Sequence, residues 1–221
     1  MIALGARRLY LCTPDRPDLE GFLDACVEGG VDLVQLREKR LDARPLLEVA
    51  RRARRVCHDR GVPFILNDRP DLAAEAEADG VHVGQDDAPP ALARRVLGPD
   101  AIVGLSTHAP GELEAAAGEP VDYVSTGPVS PTPTKPGRPG TGLAYLSLAA
   151  ATSAHPFFVT GGVTPETVGP MLAAGARRFV VVRWLTEADE PRVAARTLRR
   201  LIDAAYDASG VSDPSAPPGP P

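Results

Sequence analysis

Short apolar runs rich in β-branched residues alternate with longer stretches in which Ala, Leu and Arg recur at helical spacing, and the alternation repeats eight times along the chain. The apolar runs predict strands at 8–12, 33–36, 64–66, 80–83, 102–105, 123–125, 157–160 and 178–182. Between and after them, helices are predicted at 19–28, 43–59, 71–76, 89–97, 112–117, 143–150, 165–174 and 191–206. Pro165 follows Thr164, and Pro89 follows Asp87 and Ala88, both favourable helix starts. Gly29, Gly30, Gly61 and Gly175 stand where helices should end. Eight βα units in 221 residues, with no break in composition, predict an α/β fold: a single (β/α)8 TIM barrel over residues 1–208. A doubly wound open sheet fits less well, because no Gly-x-Gly-x-x-Gly turn follows the first strand. Residues 209–221, rich in Pro, Ser and Gly, read as a disordered tail.

Composition narrows the function classes. A net charge of -5 argues against a general nucleic-acid binder while leaving room for a local basic pocket. No stretch approaches the ~20 apolar residues of a membrane span, and Arg7 and Arg8 follow the first apolar residues in the wrong order for a secretory signal, so a cytoplasmic protein is expected. Cys12, Cys26 and Cys57 are scattered and odd in number, which suits small buried hydrophobes better than disulfides or a zinc site.

Only Lys39 and Lys135 are lysine; the other 22 basic residues are arginine. A lysine kept against that bias marks work for a compact ammonium. Lys39 closes Gln35-Leu36-Arg37-Glu38-Lys39, and Lys135 closes Pro131-Thr132-Pro133-Thr134-Lys135. In a barrel, function gathers on the loops after the strands, and the unusual residues fall there. Gln35, Arg37 and Lys39 alternate after strand 2 and can project together. Asn67 and Asp68 follow strand 3, and Gly84-Gln85-Asp86-Asp87 follows strand 4. Carboxylates from these neighbouring strands can converge on a Mg²⁺–diphosphate site, although Asp also caps helices. Strand 5 leads into Ser106, Thr107 and His108, where Ser106 suits a substrate contact and His108 suits either a helix start or a base. His82, flanked by Val81 and Val83, reads as a packing residue. The hydroxyls and ammonium of Thr132, Thr134 and Lys135 suit phosphate oxygens. Gly161 and Gly162 after strand 7, with Val182 and Arg183 after strand 8, fit the phosphate cradle common in this architecture. Two anionic substrates and one metal suggest group transfer with pyrophosphate leaving.

Assembled in order, Gln35–Lys39, Asn67-Asp68, Gly84–Asp87, Gly104–His108, Pro131–Lys135 and Gly161–Val163 make the chain resemble the thiamine-phosphate synthase (pyrophosphorylase) family over about residues 8–205. The resemblance implies a Mg²⁺-dependent transferase. It would join a hydroxymethylpyrimidine diphosphate to a thiazole phosphate by dissociative loss of pyrophosphate and capture by the thiazole nitrogen. It implies that Gln35, Leu36, Arg37, Glu38, Lys39, Asn67, Ser106 and Lys135 hold the pyrimidine diphosphate, with Arg37, Lys39, Ser106 and Lys135 acting in catalysis. It assigns Asp68 and Asp87 to the metal, and Thr132, Pro133, Thr134, Gly162, Val182 and Arg183 to the thiazole phosphate. Arg183 and Trp184 stand where many members of the family carry small residues. Small-molecule substrates are the expected partners, without nucleic acid or membrane; a homo-oligomer is compatible with this reading. A thiazole tautomerase and a non-catalytic phospholigand-binding barrel are the alternatives.

Overall fold

A computed structural model describes Leu4, residues 7–132 and residues 139–209. Among these residues, eight parallel strands pair in chain order and β1 pairs with β8, closing a barrel. The strands are β1 Leu9–Thr13, β2 Leu33–Leu36, β3 Phe64–Asn67, β4 Gly80–Val83, β5 Ile102–Thr107, β6 Tyr123–Thr126, β7 Phe157–Val159 and β8 Phe179–Val181. The helices are α1 Leu19–Glu28, α2 Ala43–Asp59, α3 Pro70–Glu75, α4 Pro90–Leu97, α5 Pro110–Ala116, α6 Gly142–Thr152, α7 Pro165–Ala173, α8 Arg183–Thr186 and α9 Pro191–Ser209. The predicted (β/α)8 barrel is the observed fold, and the open-sheet alternative is excluded by closure. The predicted tail lies outside the described residues apart from Ser209, which ends α9.

Period-2 alternation sorts the strand residues into two cores. Leu9, Leu11, Val34, Leu36, Phe64 and Leu66 point outward and pack under the helices. Tyr10, Cys12, Leu33, Ile65, Ile102, Tyr123, Phe158 and Val180 fill the barrel interior. In register, Cys12 sits beside Gln35, and Leu36 beside Leu66. Leu36 is therefore committed to the barrel–helix interface while Gln35 faces inward.

At the N-terminal end of the barrel, Asp32 accepts the Arg8 and Leu9 amides at 2.9 to 3.0 Å and the Arg199 guanidinium at 2.8 Å. Arg199 and Arg8 also pair with Asp203, 2.8 and 2.9 Å away. This lattice fastens α9 across the start of β1. None of the described helices is long and apolar enough to cross a membrane.

The sequence-predicted boundaries shift where polar residues continue a strand. Ser106 and Thr107 belong to β5 rather than to its loop, because their hydroxyls are satisfied on its two faces: Ser106 Oγ meets His82 Nε2 inside the barrel at 2.9 Å, while Thr107 Oγ1, on the helix side, accepts from the Tyr145 hydroxyl at 2.8 Å and donates to the Ser125 carbonyl at 3.1 Å. The short helix α8 carries Arg183 and Trp184, where the sequence predicts no helix between strand 8 and residue 191.

Candidate active site

The C-terminal mouth of the barrel opens into a cavity of about 330 Å³. Its floor is polar. Cys12, Gln35, His82 and Ser106 are all at least nine-tenths buried and line it, with Tyr10 at the bottom. They are joined by hydrogen bonds: Cys12 Sγ to Gln35 Oε1 at 3.3 Å, Gln35 Nε2 to the Tyr10 hydroxyl at 2.6 Å, and the Tyr10 and Tyr123 hydroxyls at 2.9 Å. From Tyr123 the chain continues to His82 Nδ1 at 2.9 Å, and His82 Nε2 meets Ser106 Oγ at 2.9 Å. His82, read from sequence as packing, both stacks on Tyr123 and contributes to the cavity wall. Burial raises the Tyr10 and Tyr123 phenols well above their ordinary value, so both keep their protons.

One wall carries cations and carboxylates. Arg37 and Lys39 project from the end of β2, and Asn67, Asp68 and Asp87 face them from β3 and the loop after β4. Lys39 Nζ lies 2.8 Å from Asp68 Oδ2. Asp68 takes a left-handed backbone, φ 63°, with its amide donating to the His82 carbonyl at 2.8 Å. Asp tolerates that region better than most residues, but it costs on the order of 1–3 kcal/mol, and such strain gathers at functional positions. Asp87 Oδ2 accepts the Gly84 amide at 2.8 Å and folds its loop, and Gln85 Nε2 ties that loop to the Ser106 carbonyl at 2.7 Å. Neither α3 nor α4 has a side-chain cap, so the helix-capping reading of these aspartates does not hold.

The two carboxylates share a hydrogen bond. Burial raises the Asp68 carboxyl above its usual range; Lys39 opposes this and the facing Asp87 adds to it. Asp87 is pushed up by burial, but hydrogen bonds from Asp68 and from the Gly84 amide hold it below the usual range. A carboxylate pair close enough to share a proton is a pair that a divalent cation can neutralise in the proton's place. No group of three or more His, Cys, Asp or Glu gathers as a metal cage among the described residues. That donor set fits Mg²⁺, which commonly takes one or two carboxylates and fills its shell with water and phosphate oxygens.

The opposite wall is a glycine turn with one arginine beside it. Gly161 and Gly162 turn with φ 93° and 75°. A Cβ at Gly161 would sit 2.4 Å from Pro128 Cβ, so only glycine lets this turn press against the loop after β6. Thr167 fixes the turn from α7: its Oγ1 donates to the Gly162 carbonyl at 2.6 Å and accepts the Thr164 amide at 2.9 Å. Thr132, Val182, Arg183 and Trp184 complete this wall, and the indole N–H of Trp184 anchors α8 to the Ala194 carbonyl at 3.3 Å.

Of the residues singled out in the sequence, the cavity gathers Gln35, Arg37, Lys39, Asn67, Asp68, Asp87, Ser106, Thr132, Gly162, Val182 and Arg183. Leu36 and Glu38, which the resemblance also assigns to the substrate, do not present their side chains to the cavity. Leu36 points outward by strand alternation, and Glu38 turns to accept the Arg40 amide at 2.8 Å and the Arg40 guanidinium. Pro133, Thr134 and Lys135 lie outside the described residues. His108, a possible base in the sequence reading, lines the cavity, with its amide 2.7 Å and its Nδ1 3.0 Å from Glu112 Oε2 in the first turn of α5.

A parallel (β/α)8 barrel whose mouth sets cations and carboxylates on one side and a glycine turn with an arginine on the other, over a polar floor, has the layout of a phosphate-handling barrel enzyme. Comparison with known proteins narrows the class: residues 9–185 match the family model described as thiamine monophosphate synthase, and the chain belongs to that family. It is 49% identical over 208 residues to a thiamine-phosphate synthase of Thermobifida fusca, covering 91% of this chain and 95% of that one. It is 50% identical over 201 residues to one of Thermus thermophilus, covering 88% and 97%. The solved thiamine phosphate pyrophosphorylase of Pyrococcus furiosus superposes with a TM-score of 0.81 at 27% identity, over 90% of this chain and 96% of that one. A 3-hexulose-6-phosphate synthase, at 19% identity and TM-score 0.63, shares the fold.

Proposed function

We propose that this chain condenses 4-amino-2-methyl-5-hydroxymethylpyrimidine diphosphate with thiazole phosphate to give thiamine phosphate and pyrophosphate. The observation that carries the reading is the placement of two different anion walls across one floor: Arg37, Lys39, Asp68 and Asp87 on one side, Gly162 and Arg183 on the other. Such an arrangement holds a diphosphate and a monophosphate with their organic parts facing each other.

Gln35 and Ser106 line the floor and offer hydrogen bonds to the pyrimidine. Asn67, Arg37 and Lys39 would hold the diphosphate, joined by Lys135 on the strength of its family motif. Thr132 to Thr134, Gly162, Val182 and Arg183 would hold the thiazole phosphate. Mg²⁺ on Asp68 and Asp87 would neutralise charge on the diphosphate oxygens. In the reaction, the C–O bond between the exocyclic methylene and the diphosphate breaks, and its electron pair leaves on pyrophosphate. The aminopyrimidine delocalises the positive charge, and the lone pair of the thiazole nitrogen forms the new C–N bond. No net proton transfer is needed, which suits a site without an activated nucleophile. Arg37 and Lys39 act by stabilising the charge that develops on the leaving group.

A thiazole tautomerase would need only the Gly162 wall and would leave the Lys39–Asp68–Asp87 cluster without a task. The test is a reaction with both substrates and Mg²⁺, omitting each in turn, with both products quantified. Thiamine phosphate and pyrophosphate in equal amounts, only when all three are present, support the reading; no coupling by folded protein at saturating substrates rejects it.

A further inference from the structure

The hydrogen-bonded floor has a direction. Gln35 Nε2 can only donate, so the Tyr10 hydroxyl accepts from it at 2.6 Å, which directs its own proton to Tyr123 in a pair where geometry alone lets either hydroxyl donate. Tyr123, having accepted, gives its own proton to His82 Nδ1 at 2.9 Å. That order assigns His82 the tautomer with hydrogen on Nε2, which faces Ser106 Oγ at 2.9 Å and, further off, Ser125 Oγ at 3.5 Å. At the other end the Cys12 thiol donates to Gln35 Oε1. Each hydroxyl has one proton to give, so the polarity is all or none: turning the Gln35 amide over would reverse every link as far as Ser106.

The chain is also sterically enclosed. Tyr123 is fully buried, does not line the cavity, and packs edge-on against Tyr10 and Phe158. A Cβ at Gly104 would come within 2.1 Å of Tyr123 Cζ and 2.5 Å of His82 Nδ1, so the glycine makes the room for the Tyr123–His82 link.

We infer that Tyr10, Tyr123 and His82 are positioning residues that lock the orientation of the Gln35 amide, and that this lock makes the site specific for an aminopyrimidine over its oxo counterpart. The inference rests on the proposed coupling reaction and names how that site chooses its first substrate. Within the chain Gln35 uses one N–H and one carbonyl lone pair, which leaves one of each for a ligand. The ring nitrogen and adjacent amino group of a 4-aminopyrimidine present an acceptor and a donor that match them. A 4-oxopyrimidine presents a ring N–H and a carbonyl, which demand the opposite amide orientation. A free glutamine would simply turn over; this one cannot turn without reversing five hydrogen bonds, and a buried mismatch is rejected strongly.

The test combines a spectroscopic and a kinetic readout. In ¹⁵N-histidine-labelled wild-type protein, long-range ¹H–¹⁵N correlation should show His82 with hydrogen on Nε2 and a bare Nδ1, the signal being assigned by its loss in His82→Gln. Tyr123→Phe keeps the ring packing and cuts the chain; it should give a mixed His82 tautomer. The kcat/KM ratio for the amino- over the oxopyrimidine diphosphate should fall by about tenfold or more. Tyr10→Phe cuts the next link and should lower the ratio likewise. Hydrogen on His82 Nδ1 in the wild type would overturn the polarity without recourse to any variant. Unchanged selectivity in both folded variants, with normal wild-type coupling, would overturn the specificity role and leave the reaction standing. Absence of thiamine phosphate from wild type and aminopyrimidine diphosphate would sink the reaction, and the specificity claim with it.

Discussion

Lys39 Nζ sits 2.8 Å from Asp68 Oδ2, so one of the chain's two lysines touches one of its two proposed metal ligands. The contact balances the carboxylate pair, and places an ammonium where a diphosphate bound through Mg²⁺ would lie. Lys39→Ala should lower kcat by on the order of 10²–10³. Lys39→Arg should recover little, because a planar fork does not replace a point charge packed against one carboxylate. Near-normal turnover in Lys39→Ala would remove this residue from the mechanism.

Metal removal should silence the enzyme without unfolding it. Dialysis against a chelator should abolish product formation while leaving the circular dichroism spectrum unchanged, and added Mg²⁺ should restore the rate. In Asp68→Asn and Asp87→Asn, the Mg²⁺ concentration for half-maximal rate should rise by at least about tenfold, because one charged ligand is lost. An unchanged Mg²⁺ dependence in both variants contradicts the assignment.

Thr167 makes no contact with the cavity but holds the Gly162 carbonyl at 2.6 Å. Thr167→Val keeps the volume and removes both that bond and the one from the Thr164 amide, so the Gly161–Gly162 turn loosens. The KM for thiazole phosphate should rise about tenfold, the equivalent of 1.4 kcal/mol, while kcat and the KM for the pyrimidine diphosphate change little. Thr167→Ser should restore the KM. Equal losses for both substrates would point to general destabilisation.

Glu38 gives a pH-dependent stability signal separate from the chemistry. The Arg40 guanidinium outweighs burial and holds the Glu38 carboxyl below its usual range. A depressed folded-state value means that ionised Glu38 stabilises the fold above the unfolded value of about 4.3, and that this contribution disappears as pH falls through the lower folded value. The stability lost in Glu38→Gln, read from urea midpoints, should be constant near neutrality and shrink below about pH 4. A loss that grows on acidification contradicts this account.

Much of the fold was legible in sequence because local signals agreed with the tertiary arrangement. The limits of α1 and α2 follow from amphipathic periodicity ended by glycine-rich turns, and those of β2 and β4 from short apolar runs. Helix α8 was not legible: at four residues it is too short to show a period, and its form depends on Trp184 docking against α9. The proposed anion walls announced themselves through charge and rarity, as with Lys39 among arginines. The floor did not. Tyr10 and Tyr123 sit in apolar strands and read as ordinary core, and their hydroxyls find each other only when β1 and β6 face across the closed barrel. Inward alternation of Tyr10, Gln35, His82, Ser106 and Tyr123 was the available signal. The same alternation, applied to Leu36, turns its side chain toward the helices.

The central claim is that one cavity holds a diphosphate against Arg37, Lys39, Asp68 and Asp87 and a monophosphate against Gly162 and Arg183. The most direct measurement is a crystal structure with thiamine phosphate, pyrophosphate and Mg²⁺ bound together. The account predicts pyrophosphate and metal at the aspartate wall, the product's phosphate at the Gly162 turn, and its aminopyrimidine on Gln35. Pyrophosphate at the Gly162 turn, or a metal bound away from Asp68 and Asp87, would contradict it.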